Sequence, residues 1–309
     1  MVRILVTGGA GFIGSHLIES LLQQGHSVVC VDNFVTGDKR NVEAFHAQGE
    51  FELIEHDMIQ PLKVDGDIDQ VYSLACPASP IDYKNLPLET LFASSYGTKH
   101  ALDLAVEKKA KILHASTSEV YGDPLQHPQT EAYFGNVNSI GPRSCYDEGK
   151  RYAESLVINY ANQYGVETKI VRIFNTYGPR MRKNDGRVIP NFINQALNGE
   201  DVTIYGDGYQ TRSFCYVSDM INGLLSMMNE KAFSGPVNLG NPEEISIKML
   251  AEYIVKLTNS SSEIVHLPVG EDDPKVRRPD ISLAAKTLGF NPTVALKEGI
   301  ESTIKWFTT

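Results

Sequence analysis

Cysteine is scarce in this chain and does not cluster. Cys30, Cys76, Cys145 and Cys215 are scattered and form no C-x-x-C pair. That excludes a disulfide scaffold and leaves free thiols in a reducing compartment, the cytoplasm, as the expectation. Cys145 stands beside Tyr146, but no histidine or asparagine partner marks it as a nucleophile. The eight histidines show no H-x-x-x-H spacing, so no metal site is expected. No run of about 18 apolar residues occurs, so neither a transmembrane helix nor a membrane partner is expected. Residues 2–7 read as a buried strand; a signal peptide needs a charged start and a longer apolar run. Basic charge is also short: Lys and Arg number 28 against 38 Asp and Glu, a formal net charge of −10. A nucleic-acid binder would show a basic patch, so no nucleic-acid partner is expected. An anionic substrate would have to be met by arginines placed locally, because the global field does not attract it. Internal repeats, low-complexity tracts and flexible linkers are absent.

What is present is an ordinary globular composition, 42% hydrophobic and 21% charged over 309 residues. That length buries a full core and suits one large α/β unit or two lobes, at about 150 residues per domain. Residues 2–7 form a short apolar strand. Residues 12–24 carry Phe12, Ile13, Leu17, Leu21 and Leu22 at helical spacing, and Gly25 ends that helix. Strands are expected at 27–31, 51–55, 70–74, 111–116 and 168–173, with helices near 88–108 and 144–164. Such alternation predicts an α/β fold, a Rossmann-type doubly wound parallel sheet. Beyond residue 175 Gly and Pro become frequent and the elements shorten. Helices are expected near 188–198, 218–230, 246–258, 281–288 and 295–307. The division is therefore a sheet domain over 1–175 and a smaller C-terminal substrate-binding lobe over 176–309, with allowance for segments that return to the sheet.

The stretch T-G-G-A-G-F-I-G at 7–14 lies between the first strand and the first helix. Gly8 permits a tight turn, Gly11 lets the backbone approach a pyrophosphate, and Gly14 allows close helix–strand packing. Phe12 and Ile13 open a helix whose free N–H groups face the phosphates. Glycines also make ordinary turns, but here the flanking elements are right on both sides. The next strand ends in Asp32, placed to bind the adenosine ribose hydroxyls. Its carboxylate would repel a 2′-phosphate, so NAD is expected over NADP. Asn33, Thr36 and Gly37 complete the ribose side. Asp57 and Met58 are expected to flank the adenine, with a turn cap as the other reading of Asp57. Ala75 is expected on the cofactor side of the crevice.

Tyr146 and Lys150 are four residues apart and share a helix face. Most such pairs are surface pairs. This one follows the fifth strand, and Ser116 and Thr117 sit at that strand's carboxyl end, where open α/β sheets bind ligands. Tyrosine, with a pKa of about 10, is a poor base until a cation favours its phenolate. Lys150 and a bound nicotinamide are expected to lower it, Lys150 also holding the nicotinamide ribose. Thr117 is expected to bond the same substrate hydroxyl.

These stretches carry a resemblance. L-A-C-P-A-S-P (74–80), S-T-S-E-V-Y-G-D-P (116–124), G-P-R-S-C-Y-D-E-G-K-R (141–151), R-I-F-N-T-Y-G-P-R-M (172–181), N-D-G-R-V-I-P-N-F (184–192) and Q-T-R-S-F-C-Y-V-S-D (210–219) are long and specific. Over nearly its whole length the chain resembles the extended short-chain dehydrogenase/reductase superfamily, and within it the UDP-glucuronate decarboxylases. One departure is Ser94, where relatives usually carry asparagine. Related 4,6-dehydratases carry an Asp–Glu pair where this chain has Ser118 and Glu119. Dehydration needs an acid to protonate the departing hydroxyl. A neutral serine instead tolerates a nearby substrate carboxylate, and 4-epimerases do not need Glu119.

The resemblance thus implies NAD-dependent decarboxylation of UDP-glucuronate to UDP-xylose, with the hydride returned internally. It makes Thr117, Ser118, Glu119, Tyr146 and Lys150 catalytic. It implies Arg212 and Arg277 at the diphosphate, Asn175 and Arg187 on the substrate side, and Tyr205 at the uracil. A 4-epimerase or 4,6-dehydratase is the alternative, and a non-catalytic NAD-sensing scaffold is a third. The helices near 88–108 and 144–164 carry apolar residues beyond one buried face, among them Leu91, Ala101, Leu104, Leu156 and Tyr160. Relatives pair such helices, so a homodimer is expected; otherwise these residues all face the sheet.

Overall fold

Short apolar runs, buried on both sides, build the centre of the protein. A computed structural model describes residues 1–48, 50–268 and 276–309. Its main sheet contains β1 (Arg3–Thr7), β2 (Ser27–Asp32), β3 (Phe51–Glu55), β4 (Gln70–Ser73), β5 (Lys111–Thr117), β6 (Thr168–Ile173) and the short strand Val237–Leu239. All neighbours pair parallel. The order across the sheet is Val237–Leu239, β6, β5, β4, β1, β2, β3. The strand order reverses between β1 and β4, which opens the ligand crevice at their carboxyl ends.

Each strand splits its side chains between two cores. Ile4, Val6, Val28, Cys30, Tyr72, Leu113 and Val171 face the first helix, Phe12–Gln23, and the helix Val217–Asn229. Leu5, Val29, Val31, Val71, Ile112 and Ile170 face the helices Thr98–Lys108 and Ser144–Tyr164. This two-sided burial explains why the strands are continuous apolar runs. Each fully buried Leu or Ile contributes about 1.5–3 kcal/mol.

The chain beyond residue 175 serves both regions. Val237–Leu239 pairs with β6, and the helices Val217–Asn229 and Ser282–Leu288 lie on the sheet. The helices Val188–Asn198, Ile247–Thr258 and Leu296–Thr308 share a separate core with Val202–Tyr205.

The helix expected at 88–108 runs without a break over 87–108, with a π turn inside it. Pro87–Phe92 and Thr98–Lys108 flank a π turn, Ala93–Gly97. At this turn Ser94 is buried against the helix Ser144–Tyr164, where a Cβ on Gly149 would lie 3.0 Å from Ser94 Cβ. Thr90 and Ser95 hydroxyls also donate to the carbonyls of Leu86 and Leu91, at 2.7 Å each, which bends a helix. Ser94, the departure noted above, lies 3.3 Å from Cys76 Sγ through its hydroxyl and so ties this turn to the crevice.

The apolar residues expected on an outer face of these helices point inward instead. Ala101 and Leu104 are buried in the core, and Leu91, Leu156 and Tyr160 pack on its edge. The outward side chains are Leu88, Phe92, Tyr96 and Tyr152. For Ala101 and Leu104 the π turn shifts the helical phase after residue 93.

Candidate active site

One continuous cleft runs from Asp32 past the glycine loop to Glu119 and Arg187. At its start β1 ends in Thr7, whose hydroxyl accepts from the N–H groups of Leu74 and Ala75 at 3.1 and 3.2 Å and binds β1 to the end of β4. Gly8 has φ +70°, and a Cβ there would lie 2.8 Å from Ala75 Cα. A Cβ on Gly14 would lie 2.2 Å from the Gly8 carbonyl oxygen. Only glycine fits, and the first helix begins uncapped by any side chain and without an acid in its first turn. Free N–H groups and a positive helix end therefore face the cleft, as a pyrophosphate requires.

Asp32 Oδ2 accepts from Ala10 N–H at 2.9 Å and Oδ1 from Phe34 N–H at 2.8 Å. Burial raises its pKa, while those N–H groups oppose the rise. A carboxylate accepts about four bonds, so capacity for ribose hydroxyls remains. Gly37 gives room: a Cβ there would sit 2.7 Å from Asp32 Oδ1. Asn33, Thr36, Asp57, Met58, Phe12, Ile13 and Gly11 line the same stretch. Asp57 also caps a turn through Ile59 N–H at 3.0 Å, the other reading of it. These residues fit NAD.

At the far end Thr117 closes β5, and its hydroxyl accepts from Glu119 N–H at 3.2 Å. Tyr146 comes from the helix Ser144–Tyr164 and stacks on Tyr83, with centroids 5.3 Å apart and 10° between the rings. Lys150 Nζ donates to the Ala115 carbonyl at 2.8 Å and lies 5.9 Å from the Tyr146 ring centroid. The lowering of the tyrosine pKa is expected of Lys150 and a bound nicotinamide together, and the side chains alone do not supply it. Burial first, then the neighbouring Cys76, push the phenol up, and Thr117 only partly offsets them. The ammonium is turned to a carbonyl, so the phenolate needs the further positive charge of a bound nicotinamide.

Glu119 is clamped between two guanidiniums. Arg143 Nη2 donates at 2.5 Å, and Arg277 Nη1 donates to the other carboxylate oxygen. Burial opposes its ionisation, but the Arg277 and Arg143 charges prevail and hold it well below the ordinary carboxylate range. Arg277 also reaches Ser118 Oγ at 3.4 Å and the Gly122 carbonyl at 3.1 Å.

Of the residues expected from sequence, the cleft brings together the glycine loop, Asp32, the adenine side, Ala75, Thr117, Ser118, Glu119, Tyr146, Lys150, Asn175 and Arg187. Tyr205, Arg212 and Arg277 are not among its lining. Tyr205 ends Val202–Tyr205 and is 54% exposed, and Arg212 donates to its neighbour's carbonyl at 2.9 Å. Arg277 stands behind Ser118 and Glu119. Sequence reasoning missed Arg143 and Tyr83. Arg143 lies three residues before Tyr146 in a stretch already singled out. Nothing local marks Tyr83, which the helix Pro80–Asn85 brings across the crevice. Among the described residues no group of His, Cys, Asp and Glu could hold a metal ion, and no helix is long and apolar enough to cross a membrane.

Known proteins match this arrangement. The model of the NAD dependent epimerase/dehydratase family matches residues 4–240. UDP-glucuronic acid decarboxylase 1 of Danio rerio is 55% identical over 306 residues, 99% of this chain and 72% of the relative. UDP-glucuronic acid decarboxylase 6 of Arabidopsis thaliana is 54% identical, covering 97% of this chain and 87% of its own. Among solved structures, UDP-glucuronic acid 4-epimerase from Bacillus cereus, in complex with UDP-glucuronic acid and NAD, superposes with a TM-score of 0.88 at 30% identity. That match covers 99% of both chains. With a family model spanning the sheet, the cleft and the stretches that carry Thr117 and Tyr146, the chain belongs to the NAD dependent epimerase/dehydratase family.

Proposed function

We infer that this chain is a UDP-glucuronic acid decarboxylase, converting UDP-glucuronate to UDP-xylose through a 4-keto sugar. The observation that carries the reading is the wall Thr117–Ser118–Glu119 opposite Tyr146, with a neutral serine where a dehydrating enzyme needs an acid. The similarity of 55% to decarboxylases supports it.

Bound NAD supplies the hydride acceptor at carbon 4 of the sugar and the donor that later restores that carbon. Tyr146 takes the proton of the carbon-4 hydroxyl, and Thr117 orients that hydroxyl. The ketone so formed is β to the carboxylate, so carbon dioxide leaves with its electrons flowing into an enolate. Tyr146 and Thr117 hydrogen-bond the developing oxyanion, usually the largest electrostatic contribution in such a site. Lys150, bonded to the Ala115 carbonyl, stands on the ribose side. Arg277 stands behind Ser118 and holds the Glu119 carboxylate in place, a position that sets it apart from the diphosphate role expected from sequence. Asn175 and Arg187 hold the sugar side, and Arg212 and Tyr205 stand as the proposed diphosphate and uracil contacts in the C-terminal lobe.

We place the protein in the cytoplasm on its free cysteines, and propose a homodimer through the face of Leu88, Phe92, Tyr96 and Tyr152. The test of function is incubation with UDP-glucuronate and no added reductant. Loss of carbon dioxide and a UDP-pentose are expected. A product of unchanged mass would mean 4-epimerisation, and loss of water would mean dehydration; either overturns the reading.

A further inference from the structure

Two segments from opposite sides of β5 meet over its carboxyl end. β5 lies between β4 and β6 in the sheet. The chain after β4 forms the helix Pro80–Asn85, and the chain after β6 runs through the strand Thr176–Tyr177 into the segment 178–187. That segment starts anchored on the first helix. His16 Nε2 donates to the Pro179 carbonyl at 2.9 Å, and Arg180 pairs with Glu19 at 2.7 Å. Its further part reaches the helix Pro80–Asn85. Arg182 pairs there with Asp82. Gly186, at φ +84°, lies on Ile81, where a Cβ would meet Ile81 Cγ1 at 2.5 Å. Ser79 holds Asp82 for the pairing: its hydroxyl donates to the carboxylate at 2.7 Å and accepts the Asp82 N–H at 3.2 Å. Ser79, Asp82, Arg182, Asp185 and Arg187 all line the cleft. From the same short helix Tyr83 stacks on Tyr146. Asp82 and Arg182 thus join the two walls of the cleft at the end that holds Thr117, Glu119 and Tyr146.

We propose that the Asp82–Arg182 pair decides which product leaves: it closes the cleft over the sugar and holds the 4-keto intermediate until the hydride returns. This rests on the decarboxylase reading above. Loss of carbon dioxide and return of the hydride are separate steps. Between them the sugar is a ketone that has lost its carboxylate, so its retention falls to the UDP contacts and to whatever closes the cleft. If the ketone escapes at that point, carbon 4 stays oxidised by two electrons, the hydride stays on the cofactor, and the next turnover cannot start. The pair suits a closure that must also open. Its side chains are 13% and 37% exposed, and an ion pair of that kind is weak enough to break at each turnover. The same segment carries Arg187, whose charge reaches Tyr146, so the bridge and the reacting end form one unit. Asp82 and Arg182 are positioning residues, acting by enclosure and not on the reacting atoms.

The experiment compares wild type, Asp82→Asn, Arg182→Gln, the double variant and Arg182→Lys, each with bound NAD, on UDP-glucuronate without added reductant. The ratio of UDP-4-keto-pentose to UDP-xylose is read by mass, the ketone being lighter by two hydrogens. Dissociation of UDP-xylose is read separately by stopped flow. Wild type gives chiefly UDP-xylose. Each single variant raises both the ratio and the dissociation rate roughly 2- to 5-fold, the span of a partly exposed ion pair, and reduced cofactor builds up in step with the released ketone. The double variant goes no further than either single one, because both remove the same contact. Arg182→Lys keeps the charge and most of the retention. An unchanged ratio and dissociation rate in the single variants overturn the proposal, as do effects that add in the double variant, which mark separate packing roles. Should Asp82→Asn be recovered unfolded, Arg182→Gln against Arg182→Lys decides by itself: equal ketone release from those two overturns the bridge. Wild type that releases carbon dioxide while the variants keep its ratio sinks the bridge alone. Wild type that releases no carbon dioxide overturns the decarboxylase reading, and this proposal falls with it.

Discussion

At the residue scale, the phenol of Tyr146 is the group whose removal separates chemistry from binding. It is buried, stacked on Tyr83 and turned to the end of β5. Tyr146→Phe keeps the stack and removes only the oxygen. Turnover should drop about 100- to 10,000-fold, the usual range for a general base, while UDP binding by calorimetry stays near wild type. A wild-type rate would remove Tyr146 from the mechanism. The two arginines expected at one diphosphate also part company here. Arg277 is 3% exposed and clamps Glu119, whereas Arg212 sits on the strand Thr211–Ser213 of the lobe. Arg212→Ala should weaken UDP about 10- to 150-fold, the worth of a charged hydrogen bond. Arg277→Ala should leave UDP affinity nearly unchanged and lower kcat. Equal losses of UDP affinity would return Arg277 to the diphosphate. Tyr146 and Lys150 could be read from their spacing and their place after a strand. Tyr83 and the Arg277–Glu119 contact could not, because the partners are far apart in sequence and only the fold brings them together.

At the element scale, the junction of β1 with the first helix is the least tolerant point. A methyl group on Gly14 would meet a backbone oxygen, not a yielding side chain, at 2.2 Å. Gly14→Ala must therefore move the helix off the strand, and with it the N–H groups facing the cleft. The purified variant should carry little NAD, measured by release of the cofactor on denaturation, while wild type should retain it. A normal NAD content would contradict the placement of the pyrophosphate. This junction was legible because glycine spacing, strand and helix all point the same way. The strands up to residue 173 were legible too, since parallel strands buried on both faces are unbroken apolar runs. The helix Pro80–Asn85, the short strands past residue 175 and the π turn Ala93–Gly97 were not. Elements of two to six residues carry too little periodicity, and nothing local marks the π turn, where Ser94 packs on Gly149 of the neighbouring helix.

At the scale of the whole molecule, the helices beside the cleft leave one apolar face uncovered. Leu88, Phe92 and Tyr96 recur every four residues along Pro87–Gly97 at 59%, 41% and 53% exposure, and Tyr152 on the neighbouring catalytic helix is 53% exposed. The two stretches pack together, and the Phe92 and Tyr96 rings lie 5.8 Å apart. A patch of aromatic residues of this kind is characteristic of an interface core, and a two-fold axis is the commonest way for a chain to cover it with its own copy. The same helices carry Tyr146, Lys150 and Ser94, so pairing would also stiffen the backbone behind the catalytic groups. Sedimentation at micromolar concentration should give twice the chain mass of 34.2 kDa. Phe92→Glu with Tyr96→Glu places two charges at the centre of that surface and should shift the protein to the single-chain mass. Those substitutions lie on exposed positions, so the fold should persist. A wild-type species of 34.2 kDa alone would sink the dimer, and a double variant that still sediments as a dimer would move the interface elsewhere on the molecule.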